Sequence, residues 1–232
     1  IIVAYADTLI RSDLSLDPES DGMIWVKKVS NPKAYGVVQL NENDKINSLV
    51  EKPQEFVSDL AVIGIYYFRD AAVIKSELTD SMKKARSHGE EFLLNEGILS
   101  MMKKGAVFTP VKVKEWMDCG NPKITLETNK KMLGILTEEG NKLIADNITK
   151  ENSEIIPPCF IGKGVVLKKS IVGPNVAIGE GSLVENSTIS DCLIQKNTVI
   201  KNAKLFGSMI GNHVKYHGNH TFISIGDYSE LT

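Results

Sequence analysis

The sequence predicts an α/β domain with a mainly parallel sheet, followed by a left-handed parallel β-helix. Three observations carry that prediction. Apolar runs of strand length alternate with helical patterning through the first 140 residues. From Ile155 onward, aliphatic side chains recur about every six residues. Between them stand Gly162, Gly164, Gly173, Gly179, Gly181, Asn186, Asn197 and Asn202, small or flexible residues suited to tight corners. The expected division is one domain over residues 1–140, a polar connection at 141–154 and the β-helix over 155–232.

Residues 1–6 are apolar on both faces, as a central strand of a covered parallel sheet should be, and they end at Asp7. Residues 23–29 read as a strand, with Ile24 and Val26 alternating against Trp25 and Lys27. Residues 34–40 and 46–50 read as a hairpin joined through Asn41-Glu42-Asn43-Asp44. Glu51-Lys52-Pro53 ends it, because proline has no N–H for a ladder. Residues 60–68 form another buried strand. Phe92, Leu94, Ile98, Met101 and Met102 then fall on one helical stripe, which closes on Lys103, Lys104 and Gly105. A strand over 107–113 leads to Asp118. Gly120 relieves the turn, Asn121 suits an N-cap and Pro122 suits the first helical position, so a helix is expected from 122 to about 136.

In the second part, Ile155, Ile161, Leu167, Val172, Ile178 and Val184 keep the period. After a slip it resumes at Ile194 and Ile200, and after another at Ile210 and Tyr216. One such side chain per short flat strand points inward. Flat faces and an exposed end coil lead us to expect a homo-oligomer.

Composition narrows the function. The 232 residues carry a formal net charge of −2, so no positive excess argues for nucleic acid or an anionic membrane. The longest apolar run, residues 61–68, is far short of the ~20 needed to span a bilayer. Cys119, Cys159 and Cys192 are odd in number and lack CxxC spacing, which suits free thiols in the reducing cytoplasm. There is no initiating methionine and no basic leader, so residues are expected upstream of Ile1.

Asp7 and Asp118 each end a strand, where open α/β sheets place their ligand crevice. Two carboxylates so placed suit magnesium, a hard cation usually held by one or two carboxylates plus substrate phosphates. Asp118 could instead simply cap its turn. Glu51-Lys52 offers an ammonium for a phosphate and a carboxylate for sugar hydroxyls. The bland alternative for that pair is a solvated surface contact.

Asp7 after its apolar strand, Tyr35-Gly36-Val37, Glu51-Lys52-Pro53, Ala61-Val62-Ile63-Gly64-Ile65-Tyr66 and Trp116-Met117-Asp118-Cys119-Gly120, followed by hexapeptide repeats, resemble the sugar-nucleotide pyrophosphorylases. These are nucleotidyltransferases of the glucose-1-phosphate thymidylyltransferase and mannose-1-phosphate guanylyltransferase type. The resemblance covers nearly the whole chain and implies that the first domain is part of a Rossmann-like nucleotidyltransferase sheet. It further implies that Asp7 and Asp118 hold magnesium, Glu51 binds sugar hydroxyls and Lys52 contacts the sugar phosphate. Gly36 and Val62 would line the sugar pocket through backbone groups, and Trp116 and Tyr66 would wall it. The implied substrates are a sugar-1-phosphate and a nucleoside triphosphate, whose α-phosphorus is attacked in line with release of pyrophosphate.

The chain also departs from the family. A glycine-rich phosphate loop with its arginine has no counterpart, Ala6 stands where glycine is usual, and Asn95-Glu96 replaces a threonine–aspartate pair. Cys119 and Asn121 are unusual around the second aspartate. The expectation is therefore a fragment that does not turn over alone. Two competing readings stand beside it. One is acyl transfer with a base drawn from His213, His217 and His220, which could equally be solvated histidines. The other is a non-catalytic regulatory or assembly module.

Overall fold

The computed structural model describes residues 1–12, 15–83, 93–218 and 223–231. The chain forms two compact units, Ile1–Met117 and Asp118–Thr232.

The first unit is a six-stranded sheet of β1 (Ile2–Ala4), β3 (Gly22–Lys28), β4 (Val37–Leu40), β5 (Ile46–Val50), β6 (Leu60–Phe68) and β7 (Phe108–Lys112). Their spatial order is β1-β6-β3-β7-β5-β4, with β4 also reaching β6. Among the described residues the directions are mixed. β3 runs parallel to β7, whereas β6 is antiparallel to β1, β3 and β4, and β5 is antiparallel to β4 and β7. The mainly parallel arrangement expected from the alternating pattern is therefore corrected. A buried apolar strand looks the same whichever way its neighbours run.

The first strand differs too. Residues 1–6 were expected at the centre of a sheet, but among the described residues β1 pairs only with β6 and lies at the edge. Ile1, Ile2 and Tyr5 are exposed. Met23 to Val26 of β3 are buried on both faces, because helices cover one side of the sheet and a two-stranded ribbon covers the other. One face, with Ile24, Val26, Val62 and Phe68, packs on α1 (Ala71–Met82) and α2 (Leu94–Lys103) through Ile74, Ile98 and Met101. The other face, with Met23, Trp25, Ile63 and Ile65, packs on Val113 and on Ile10 and Trp116. These last two come from a two-stranded ribbon, β2 (Thr8–Arg11) paired with β8 (Glu115–Asp118).

α2 ends as expected, with Gly105 in the left-handed region at φ +97°. Phe92, expected on the same stripe, lies outside the described residues. α1 was not foreseen. Its buried face carries Glu77 and Ser81 beside Ile74, so no apolar stripe announces it. Its start was legible, since the Asp70 side chain accepts from the amides of Ala72 and Val73.

The second unit begins with α3 (Pro122–Glu138), capped by Asn121 through the Ile124 amide with Pro122 in the first turn. The parallel β-solenoid follows. Three flat sheets stack coil upon coil, as in Ile161↔Ile178↔Ile194↔Ile210 and Leu167↔Val184↔Ile200↔Tyr216. The slips in the period are real changes in coil length. Ile161 and Ile178 are 17 residues apart, Ile178 and Ile194 are 16, and Ile210 and Ile225 are 15. Ile189 and Leu205 fill the third inward column above Val172, each at a five-residue step that shortens its coil. One corner column is held in the left-handed region by Gly164, Gly181, Asn197, His213 and Tyr228, φ +53° to +70°. The connection expected at 141–154 is already the first coil: Thr149–Glu151 pairs with Val166–Lys168, and Glu154–Ile155 with Ile171–Val172. Its polar side chains disguise it, because a first coil has an open outer edge.

Candidate functional site

Glu51 is placed by backbone geometry on both sides. β5 carries it to the end of the hairpin, with Val50 opposite Val37 in the register. The next residue, Lys52, takes φ +42°, and its amide donates to the Tyr35 carbonyl at 3.1 Å. Gly36 follows Tyr35, and its carbonyl accepts from the Val62 amide at 2.8 Å, tying the hairpin to β6. The expectation that Gly36 and Val62 offer backbone groups meets this fact: that carbonyl and that amide are already bonded to each other. What Gly36 does offer is space. A Cβ there would lie 2.8 Å from Glu51 Oε2 and 3.6 Å from Asn95 Nδ2.

Asn95, in the first turn of α2, donates from Nδ2 to Glu51 Oε2 at 2.9 Å. Its own Oδ1 is buried without a hydrogen-bond partner among the described residues. Tyr66 of β6 is buried, and burial pushes its phenol well above the ordinary range. Tyr5 and the negative charge of Glu51 add to that shift, so the phenol stays a proton donor at any physiological pH. Tyr5 reaches Tyr66 with ring centroids 5.8 Å apart because Gly64, at φ +77°, leaves room for its ring. Trp116 packs edge-on against Tyr35 at 5.1 Å, with its Nε1 buried and unpartnered among the described residues.

Thus Gly36, Glu51, Val62, Tyr66 and the backbone of Lys52 belong to one neighbourhood in the first unit, and Trp116 adjoins it through Tyr35. Asn95 and Tyr5 were not foreseen as part of it. Their partners lie 44 and 61 residues away, a distance that no local pattern bridges. The Lys52 side chain is exposed, and among the described residues no acceptor pairs with its ammonium.

Asp7 sits exposed in the turn just before β2, and Asp118 closes β8. The Gly120 amide donates to Asp118 Oδ1 at 2.7 Å, so this carboxylate does cap its own turn with one oxygen. Among the described residues no group of three or more His, Cys, Asp or Glu side chains could hold a metal. His213 stacks on Tyr228 at 4.8 Å and His217 bonds Asn202, while His220 lies outside the described residues. No helix among the described residues is long and apolar enough to cross a membrane.

The family profile for nucleotidyl transferases matches residues 6–134. A glucose-1-phosphate thymidylyltransferase of Streptomyces antibioticus is 27% identical over 90% of this chain and 62% of its own length. The mannose-1-phosphate guanylyltransferase catalytic subunit beta of Drosophila melanogaster is 30% identical over 69% of this chain and 37% of its own length. The bifunctional protein GlmU of Methanocaldococcus jannaschii is 30% identical over 94% of this chain and 56% of its own. The chain thus spans roughly one to two thirds of the length of these curated relatives. With more than half of its residues matched by the family profile, the chain belongs to the nucleotidyl transferase family.

Proposed function

We propose that this protein binds a sugar-1-phosphate and contributes to its nucleotidylation by a nucleoside triphosphate, giving a nucleotide sugar and pyrophosphate. The observation that carries the reading is the placement of Glu51 beside Gly36, Asn95 and Tyr66, with the exposed Lys52 next in sequence. A carboxylate only accepts, so it selects hydroxyl donors. An exposed ammonium meets a phosphate as a point charge. Tyr66 and Trp116 are the proposed aromatic walls of the sugar site. Positioning and charge neutralisation suffice for in-line phosphoryl chemistry, and no covalent intermediate on the protein is required.

Asp7 and Asp118 are the proposed magnesium ligands. Their donor set fits a hard cation. Both offer carboxylate oxygens, Asp7 has no partner among the described residues, and the Gly120 amide takes only one oxygen of Asp118. Two carboxylates leave most of the coordination sphere to phosphates and water, which is how magnesium is usually held. When bound, the cation would neutralise phosphate charge and fix its orientation. Self-association is part of the same reading. It is supported by large apolar side chains exposed on the solenoid, Phe160, Ile171 and Phe206.

Isothermal titration with glucose-1-phosphate and mannose-1-phosphate, each with magnesium, and with acetyl-CoA tests the reading. Binding of a sugar-1-phosphate but not of acetyl-CoA is expected. Binding of acetyl-CoA alone, or of none of the three, overturns it.

A further inference from the structure

The geometry points to Asn95 as a positioning residue that fixes the Glu51 carboxylate and thereby sets which sugar hydroxyl is recognised. The inference rests on the reading that Glu51 faces a sugar.

Three constraints meet at this carboxylate. The Lys52 amide bond to Tyr35 pins its backbone. The bare Cα of Gly36 lets Oε2 approach to a distance no Cβ would permit. The Asn95 amide then holds that same Oε2 at 2.9 Å. Oε1 is left without a partner among the described residues, so it is the acceptor available to a ligand.

The amide cannot turn round. Reversal would aim Asn95 Oδ1 at a carboxylate oxygen, two acceptors with no proton between them. The present orientation leaves Oδ1 buried and unpartnered, a cost that the bond to a charged acceptor outweighs. The Asn95 amide is thus locked as a donor by Glu51, and Glu51 is locked by it. Nδ2 carries a second proton. A ring hydroxyl, which both donates and accepts, would satisfy this second proton and Oε1 together. Epimers that move this hydroxyl off the ring face lose both bonds at once.

The test is titration of glucose-, mannose- and galactose-1-phosphate, with magnesium, into the wild-type chain, Asn95→Leu and Asn95→Asp. Thermal melting of each protein checks its fold. The wild type is expected to bind one of the three more tightly than the others. Asn95→Leu should weaken that sugar roughly 10- to 100-fold, the loss of one or two bonds to a charged group, and bring the three affinities together. Asn95→Asp, nearly isosteric, should weaken it further by setting a second negative charge against Oε2. A preserved ranking in either folded variant overturns the proposal, as does an equal loss for all three sugars, which marks a merely structural role. If the wild type binds none of them, the functional reading falls and this inference with it.

Discussion

Gly36 and Glu51 are so close that a single methyl group on the glycine would stand 2.8 Å from Oε2 of the carboxylate. The glycine is not there for its backbone angles, since it does not occupy the left-handed region. It is there for clearance. Gly36→Ala should therefore leave the fold nearly intact, because the far end of a flexible side chain can swing away. The displaced carboxylate loses its bond to Asn95, and sugar-1-phosphate affinity should fall roughly tenfold or more. Titration calorimetry and a thermal melt, read together, check this. A large loss of melting temperature, or unchanged affinity, contradicts it.

Gly179 and Gly164 make a contrasting pair in the solenoid. A Cβ on Gly179 would lie 2.7 Å from the backbone of Gln195 and Lys196 in the next coil, and stacked strands cannot separate locally. A Cβ on Gly164 would meet nothing within 4 Å, but the residue stands at φ +67°. Gly164→Ala should cost about 1 kcal/mol of backbone strain. Gly179→Ala should cost about 3 kcal/mol, the upper range for overpacking. Urea denaturation orders the two, and equal or reversed shifts would show that the coils are not held as rigidly as argued.

The solenoid was legible because its code is one inward residue per strand. Even there, Leu205 escapes the pattern, since a shortening from 17 to 16 residues per coil looks like noise until the register is seen. Strand direction in the first unit was illegible. β3 and β6 are buried on both faces, and burial carries no record of which way a neighbour runs. Of the candidate site, Glu51 and Lys52 could be picked out only through the resemblance of Glu51-Lys52-Pro53 to the family, because the residues alone read as a solvated surface pair. Asn95 could not, because its role is made by a contact across 44 residues. Glu77 hid α1 for a related reason: a buried carboxylate breaks the apolar stripe that marks a helix.

The three cysteines should differ sharply in reactivity. All are free, Cys119 is partly exposed, and Cys159 and Cys192 are buried in the solenoid. Burial pushes the Cys192 thiol up to about 11 and raises Cys159 as well. At pH 8 about one Cys192 in a thousand is thiolate, and that thiolate is shielded. Iodoacetamide labelling followed by mass spectrometry should find Cys119 modified first and Cys192 only after urea unfolding. Early modification of Cys192 would mean that the coils open far more readily than this packing allows.

The stability of the first unit should depend on pH through Glu77. This carboxylate is 7% exposed, and it accepts from the Lys104 ammonium and from the Ser100 hydroxyl at 2.6 Å, which bridges α1 to α2. Lys104 first and Ser100 second hold its pKa below the ordinary carboxylate range. A depressed folded-state value means that the stabilisation is present above the unfolded value of about 4.3 and is lost as pH falls through the lower folded one. Glu77→Gln should be less stable than the wild type at pH 7. The gap should narrow steadily below about pH 4.3, because the wild-type carboxyl becomes protonated and resembles the amide. Urea midpoints at neutral pH and at several acidic values give the comparison. Two curves that stay parallel into acid would show that the bridge between the helices is steric and that its charge contributes nothing.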